Sequence, residues 1–147
     1  MVGAGSGIAP FRAFVQERAG VAAEDFTVGP MLLFFSCRST SKDFLYADEW
    51  ENCNRVHRFF NIDCAFSRDG ERKVYVQDRL RERSREVRRL VVEQGAAFYI
   101  CGSTKMAKDV KKVLIGSLTD SMWDKEKAIQ YVNQMKKEHL FQEDTWT

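Results

Sequence analysis

Apolar residues in this chain gather in short runs, separated by charged stretches whose apolar positions recur with helical spacing. MLLFFSC (Met31–Cys37) is apolar almost throughout and follows the breaker pair Gly29-Pro30, the pattern of a strand buried on both faces. FFNIDCAFS (residues 59–67) reads as a second strand, and AAFYIC (residues 96–101), which follows Gly95, as a third. Helical patterns lie between them. One starts at Pro10, a residue suited to a first helical turn, and runs to residue 18. Another covers residues 46–58, with Trp50 and Val56 set among charges. A long charged helix opens at VYV (residues 74–76) and continues to about residue 93, and amphipathic helices follow over residues 106–118 and 125–139. LFQEDTW closes the chain as a short extended segment. Strands alternating with helices predict a doubly wound α/β domain, with a five-stranded, mostly parallel sheet and helices on both faces. Met1-Val2 is then the tail of a central strand, and residues 1–147 form one domain.

In such folds ligands collect at the carboxyl ends of the strands. The residues to question are therefore Gly3 to Gly7, Cys37-Arg38, Ser67-Arg68 and Cys101-Gly102. Composition narrows the classes. Apolar residues at 44% and charged residues at 30% are ordinary for a globular domain, and a net charge of +2 is too small to imply a nucleic-acid protein. No apolar run approaches a membrane span, and no secretory leader precedes the glycines, so a cytoplasmic protein without membrane contact is expected. Cys37, Cys53, Cys64 and Cys101 form no CxxC pair, and His57 and His139 are the histidines that could assist them. Reduced thiols rather than a metal site follow.

The opening MVGAGSGIAPF lacks the lysine of a P-loop, and Ile8 stands where the dinucleotide fingerprint GxGxxG needs glycine. Glu24 and Asp25 lie at about the right distance for a ribose-binding acid, but no strand run leads up to them. What Gly3, Gly5 and Gly7 still favour is an anion. Glycines let backbone amides approach a pyrophosphate, a helix amino terminus adds partial positive charge, and Ser6 adds a hydroxyl. The alternative is a tight strand-to-helix turn without a ligand.

AFSRDGERKVYVQDRL adds a second anion signal. Ser67 and Arg68 stand at a strand end, and Lys73, Tyr75 and Gln77 follow a turn at Asp69-Gly70. A hydroxyl, a guanidinium, an ammonium and an amide suit a small dianion, while Tyr75 can stack on a base. A phosphate on an adenosine ribose would satisfy the set. Arg79, Arg81, Arg83 and Arg85 read instead as solvated helix surface. Their interleaved Glu82 and Glu86, and the lack of nearby stacking aromatics, argue against nucleic acid as a partner.

GAGSGIAPFRAFVQER, FFSCRSTSKDFLYADEW, AFSRDGERKVYVQDRL, YICGSTKMAKDV and the closing DTW, in this order, resemble the NADPH-binding domain of diflavin reductases. These belong to the ferredoxin–NADP⁺ reductase superfamily, which includes NADPH–cytochrome P-450 reductase. The tail and FFSCR look most like the small cytosolic diflavin branch that donates electrons to iron–sulfur assembly. The resemblance implies a pyrophosphate loop at Gly3, Gly5, Ser6 and Gly7, and a Cys37-Arg38 pair near the phosphates. It implies a 2′-phosphate and adenine set of Ser67, Arg68, Lys73, Tyr75 and Gln77, which selects NADPH over NADH. Cys101 matches the cysteine beside the nicotinamide, with Gly102, Met106 and Asp109 in the same motif. Asp144 matches an acid that assists hydride transfer, and Trp146 the aromatic that stacks on FAD.

The implied activity is hydride transfer from NADPH to FAD, with onward transfer through FMN to a protein acceptor, a cytochrome or an iron–sulfur assembly protein. The flavin barrel and FMN domain of that family have no counterpart in these residues. The expectation is thus a fragment that binds NADP(H) and works with an FAD-binding domain of the same chain. Alternatives are a single-flavin ferredoxin–NADP⁺ reductase domain and a non-catalytic NADP(H)-binding module. Two departures stand out. Ser36 replaces a frequent glycine before the Cys–Arg pair. CGSTKM is one residue shorter than the usual CGxxxxM, with Ser103 where an acid is common.

Overall fold

The computed structural model describes residues 1–120 and 122–147. Its elements run β1 (Val2–Ala4), a 3₁₀ turn (Gly5–Ile8), α1 (Ala9–Ala23), β2 (Met31–Cys37), α2 (Ala47–Val56), β3 (Phe60–Phe66), α3 (Val76–Glu82) and α4 (Ser84–Arg88). A π-turn (Arg89–Glu93), β4 (Phe98–Ser103), α5 (Thr104–Leu118), α6 (Lys125–Lys137) and β5 (Phe141–Trp146) complete the chain. Among the described residues the strands form one sheet in the order β3-β2-β1-β4-β5, with every neighbouring pair parallel. The sheet is thus wholly rather than mostly parallel. β1 is central, and strand order reverses beside it, so the glycine turn leaves the sheet at the switch point where such folds open a crevice.

The pleat sorts β2 into two cores. Leu32 and Phe34 join a cluster with Val76, Leu80, Val110, Leu114 and Val132 from α3, α5 and α6. Leu33, Phe35 and Cys37 join Ile8, Phe11, Val15 and Trp50 from the glycine turn, α1 and α2. Alternate side chains of a strand point to opposite faces, so a run that is apolar at every position needs helices on both. The edge strands read differently because one flank is open. In β3, Asn61 is exposed, and Asp63 lies 3.7 Å from both Arg79 and Arg83. Side chains blunt this edge: Asn54 Oδ1 accepts the Ile62 N–H at 3.2 Å, and Arg79 Nε donates to the Cys64 carbonyl at 3.0 Å.

Two expectations need correction. The long charged helix over residues 74–93 begins at Val76 and breaks at Arg83 into α3, α4 and the π-turn. Its buried residues are Val76, Leu80, Val87, Leu90 and Val91. Arg83 and Ser84 fall where an apolar residue would continue the buried face, so no burial holds one straight helix there. The third strand also runs past Cys101 to Ser103, so Cys101 and Gly102 lie inside β4 rather than after it. No helix among the described residues is long and apolar enough to cross a membrane.

Candidate functional site

At the carboxyl ends of the strands lies a cleft of about 800 Å³. Its floor is the glycine turn, with Ala4, Gly5 and Ser6 facing it. Gly5 takes the left-handed conformation, φ +54°, which a side chain would strain. Gly7 serves close approach instead, because a Cβ there would stand 2.2 Å from the Cys101 carbonyl oxygen. Gly3 lies behind the turn, where a Cβ would meet Gly7 O and the Phe11 ring at 3.1 Å. The turn and the start of α1 have no side-chain cap, whereas Ser103 caps α5 and Asp124 caps α6. A glycine turn feeding an uncapped helix start suits a phosphate, whose oxygens would take the free N–H groups.

The second wall comes from the ends of β2 and β3. Cys37, Arg38, Ser67, Tyr75 and Gln77 line the cleft, together with Ser36 and Asp43. Strand pairing continues past β2 and β3: Ser67 N–H donates to the Cys37 carbonyl at 3.1 Å, and Arg68 N–H to the Arg38 carbonyl at 2.8 Å. Thr40 donates its backbone N–H to Asp69 Oδ2 at 2.8 Å, and its hydroxyl donates to the same oxygen. These bonds hold the Asp69 carboxyl below its usual range. Arg68 and Lys73 are exposed and stand off the cleft wall. Among the described residues, ion pairs engage Arg79, Arg81, Arg83 and Arg88 but not Arg38, Arg68 or Lys73. Arg79, Arg81, Arg83 and Arg88 thus act in the fold, and the strand-end cations stand outside its ion pairs.

The third wall is the start of α5 and the end of β5, with Ser103, Lys105, Met106, Asp109 and Trp146. The short CGSTKM segment has a local cause. β4 passes directly into α5, and the Ser103 hydroxyl accepts the Met106 N–H at 3.2 Å as the cap. Met106 then folds back on Gly102, where a Cβ would lie 2.7 Å from its Cε. Serine does here what an acid at that position could also do. Lys105, in the first turn of α5, opposes the helix dipole and has no structural reason in its own helix. The motif passed over it, as it did Asp43, because the folding of the chain rather than any local pattern brings them to the cleft.

Cys101 and Asp144 are partners in the β4–β5 ladder, and Trp146 is the partner of Ser103. By the alternation of the pleat all of them face the α1 side. Cys101 is buried, and burial, followed by the Asp144 charge, pushes its thiol above the ordinary value. Burial, with Asp43 adding, pushes the Cys37 thiol up to about 11. Both are therefore neutral thiols at neutral pH and no nucleophiles. The Trp146 ring lies over the glycine turn, with Cη2 3.3 Å from a Cβ position on Gly7. Its carbonyl accepts the Thr104 hydroxyl at 3.2 Å, and the residue stays 44% exposed. A second cavity, of about 520 Å³, opens at the amino ends of β2 and β4 among Phe14, Leu32, Phe98 and Tyr99, away from the strand ends that bind ligands.

Residues 1–112 match the family model described as the oxidoreductase NAD-binding domain. The whole chain is 46% identical over 151 residues to an NADPH–cytochrome P-450 reductase of Aspergillus niger, of which it covers 22%. It is 39% identical over 149 residues to the Drosophila melanogaster protein of the same name, again covering 22%. Over 148 residues it is 40% identical to the sulfite reductase [NADPH] flavoprotein alpha-component of Zymomonas mobilis, with 99% of this chain and 24% of the relative covered. The chain thus spans less than a quarter of the length of these relatives. The switch-point glycine turn and the parallel sheet order agree with the match, and the chain belongs to the oxidoreductase NAD-binding domain family.

Proposed function

We propose that residues 1–147 are an NADP(H)-binding domain that presents the nicotinamide of NADPH to a flavin. The observation that carries this reading is one cleft in which an uncapped glycine turn meets the strand-end cation Arg38 on one side and Trp146 on the other. The turn N–H groups and Ser6 would bind the pyrophosphate. Ser67, Arg68 and Lys73 would hold the 2′-phosphate, with Tyr75 and Gln77 at the adenine and Arg38 between the two phosphate positions. Gly102, Met106 and Asp109 would shape the nicotinamide end.

A flavin supplies the acceptor for hydride when bound, and the relatives named for NADPH and for a flavoprotein support that partner. Gln142, Asp144 and Trp146 are exposed on the α1 face of β5, which leaves that face open to a flavin-carrying domain. There Trp146 would stack on the FAD ring and yield to the nicotinamide. Cys101, small and uncharged, would let the ring approach. Asp144 would balance the positive charge that grows on the nicotinamide as hydride leaves. The FAD and FMN are carried by other domains in this reading, and the final acceptor is a protein, a cytochrome or an iron–sulfur assembly protein.

Titration calorimetry of the purified chain with NADP⁺ and NAD⁺ tests the binding claim. NADP⁺ should bind at least about tenfold more tightly, one charged hydrogen-bonded contact being worth ~1.5–3 kcal/mol. Equal affinities, or no binding of either, would overturn it.

A further inference from the structure

Lys105 is the second residue of α5, and it lines the nucleotide cleft. The residues on either side of it are tied down. Thr104 donates its hydroxyl to the Trp146 carbonyl at 3.2 Å. Met106 donates its N–H to the Ser103 hydroxyl at 3.2 Å and packs its Cε against Gly102. The backbone at Lys105 is thus held between the Trp146 end of β5 and the carboxyl end of β4. Arg38 follows β2 and Lys105 follows β4, the two strands that flank β1. The glycine turn at the end of β1 therefore has one cation on each side.

The fold itself gains nothing from this lysine. A positive charge in a first helical turn opposes the helix dipole, and α5 carries no acid there to offset it. Asp109, one turn further on, is the carboxylate that helical spacing would offer to Lys105. It pairs instead with Lys112, whose Nζ lies 3.6 Å from Asp109 Oδ1. Among the described residues no ion pair engages Lys105. A residue that breaks a local rule with no compensating contact marks a position kept for function. Here the function is supplied by the cleft, where the uncapped N–H groups of the glycine turn already favour an anion.

On the NADP(H) reading of the cleft, on which this inference rests, we propose that Lys105 is a binding residue for the pyrophosphate. It grips the phosphate on the nicotinamide side, across the glycine turn from Arg38. A lysine ammonium is a compact charge with three donors, suited to a phosphate oxygen. The pyrophosphate is common to NADP(H) and NAD(H), so Lys105 adds affinity without selecting between them. Selection stays with the 2′-phosphate set on the opposite wall. Because the same charge works against its own helix, nucleotide binding and fold stability pull this position in opposite directions.

Calorimetry of the full chain with NADP⁺, NAD⁺ and 2′,5′-ADP, paired with urea unfolding, tests this. Lys105→Ala should weaken NADP⁺ and NAD⁺ by the same factor, about tenfold, the low end for a charged hydrogen bond. It should hardly affect 2′,5′-ADP, which lacks the phosphate on the nicotinamide side. Lys105→Arg should keep most of the NADP⁺ affinity. Lys105→Glu should weaken NADP⁺ more than Lys105→Ala does and still raise the urea midpoint, because an acid suits the first turn. A lysine with a structural role would lower the midpoint instead. The proposal is overturned if Lys105→Ala leaves NADP⁺ affinity unchanged, if it weakens 2′,5′-ADP as much as NADP⁺, or if Lys105→Glu lowers the midpoint. Those results, with NADP⁺ bound by the native chain, leave the NADP(H) reading standing. A native chain that binds no NADP⁺ overturns that reading and the role of Lys105 with it.

Discussion

Gly7 and Cys101 touch through their backbones: a methyl group on Gly7 would stand 2.2 Å from the Cys101 carbonyl oxygen. This contact seats the glycine turn on β4 and fixes its distance from the Cys101 thiol. Gly7→Ala should therefore cost about 1–3 kcal/mol of stability through overpacking. Gly20, in the middle of α1 with open space around its Cα, is the comparison. Gly20→Ala should stabilise by ~0.5–1 kcal/mol through helix propensity. Urea unfolding of both variants reads the difference, and equal midpoints would show that the turn relaxes without cost.

Arg68 is exposed and outside the fold's ion pairs, so its removal should spare stability and strike ligand binding. Arg68→Ala should weaken 2′,5′-ADP by ~2 kcal/mol, the loss of a charged hydrogen-bonded contact, and leave 5′-AMP almost unchanged. Calorimetry with both ligands decides, and an equal loss for both would remove Arg68 from phosphate selection.

Trp146 lies over the glycine turn and lines the cleft, while Trp50 is buried in the α1–α2 core. Adding NADP⁺ should change tryptophan emission, and Trp146→Phe should abolish most of that change. Emission that responds equally in the variant would mean that the nucleotide does not reach the β5 end of the cleft.

The Cys101 thiol is held neutral by burial and then by Asp144 across the ladder. Alkylation by iodoacetamide at pH 8 should be slow at Cys101 and faster in Asp144→Asn, because the thiolate no longer faces a carboxylate. The gain should be partial, since burial is the larger cause and remains. Peptide mass spectrometry reads the rate at Cys101, and an unchanged rate would show that the two side chains do not sense each other.

Thiol burial also sets a pH limit on the fold. Cys37 is pushed up to about 11 and Cys64 to about 12 from an ordinary value of 9.0, in both cases chiefly by burial. Unfolded thiols release protons from about pH 9, while the folded ones keep theirs, so the unfolded state gains as pH rises. Stability should be level below pH 9 and fall between about 9 and 12. Urea midpoints at pH 8 and 10.5 test this, with a smaller fall expected in Cys64→Ala.

Much of the fold was legible because the apolar runs were long enough to carry a period. Met31–Cys37 is a strand with the bounds its pattern predicts, and the alternation of strands and helices led to the parallel sheet. Errors came where burial was interrupted. Arg83 and Ser84 break a helix that charge alone made look continuous, and Cys101 and Gly102 belong to a strand whose last residues have too little apolar character to mark its end. Among candidate site residues, the glycine turn and the Cys37, Ser67 and Trp146 positions could be singled out by motif. Lys105 and Asp43 could not, because a lone lysine in a first helical turn or an aspartate on a loop carries no period.

Local chemistry along the chain thus determined the glycine turn, the strand order's raw material and the residue types at the strand ends. Those depend on backbone freedom, hydrophobic period and strand-end position, which are properties of neighbours in sequence. The tertiary structure decided which cations are spent on ion pairs and which remain free, and that Cys101, Asp144 and Trp146 share one face of β4 and β5. It also decided that Lys136 meets Glu143 on the other face. These are matters of register and of packing between distant segments, and a side chain's charge state depends on what the fold brings beside it.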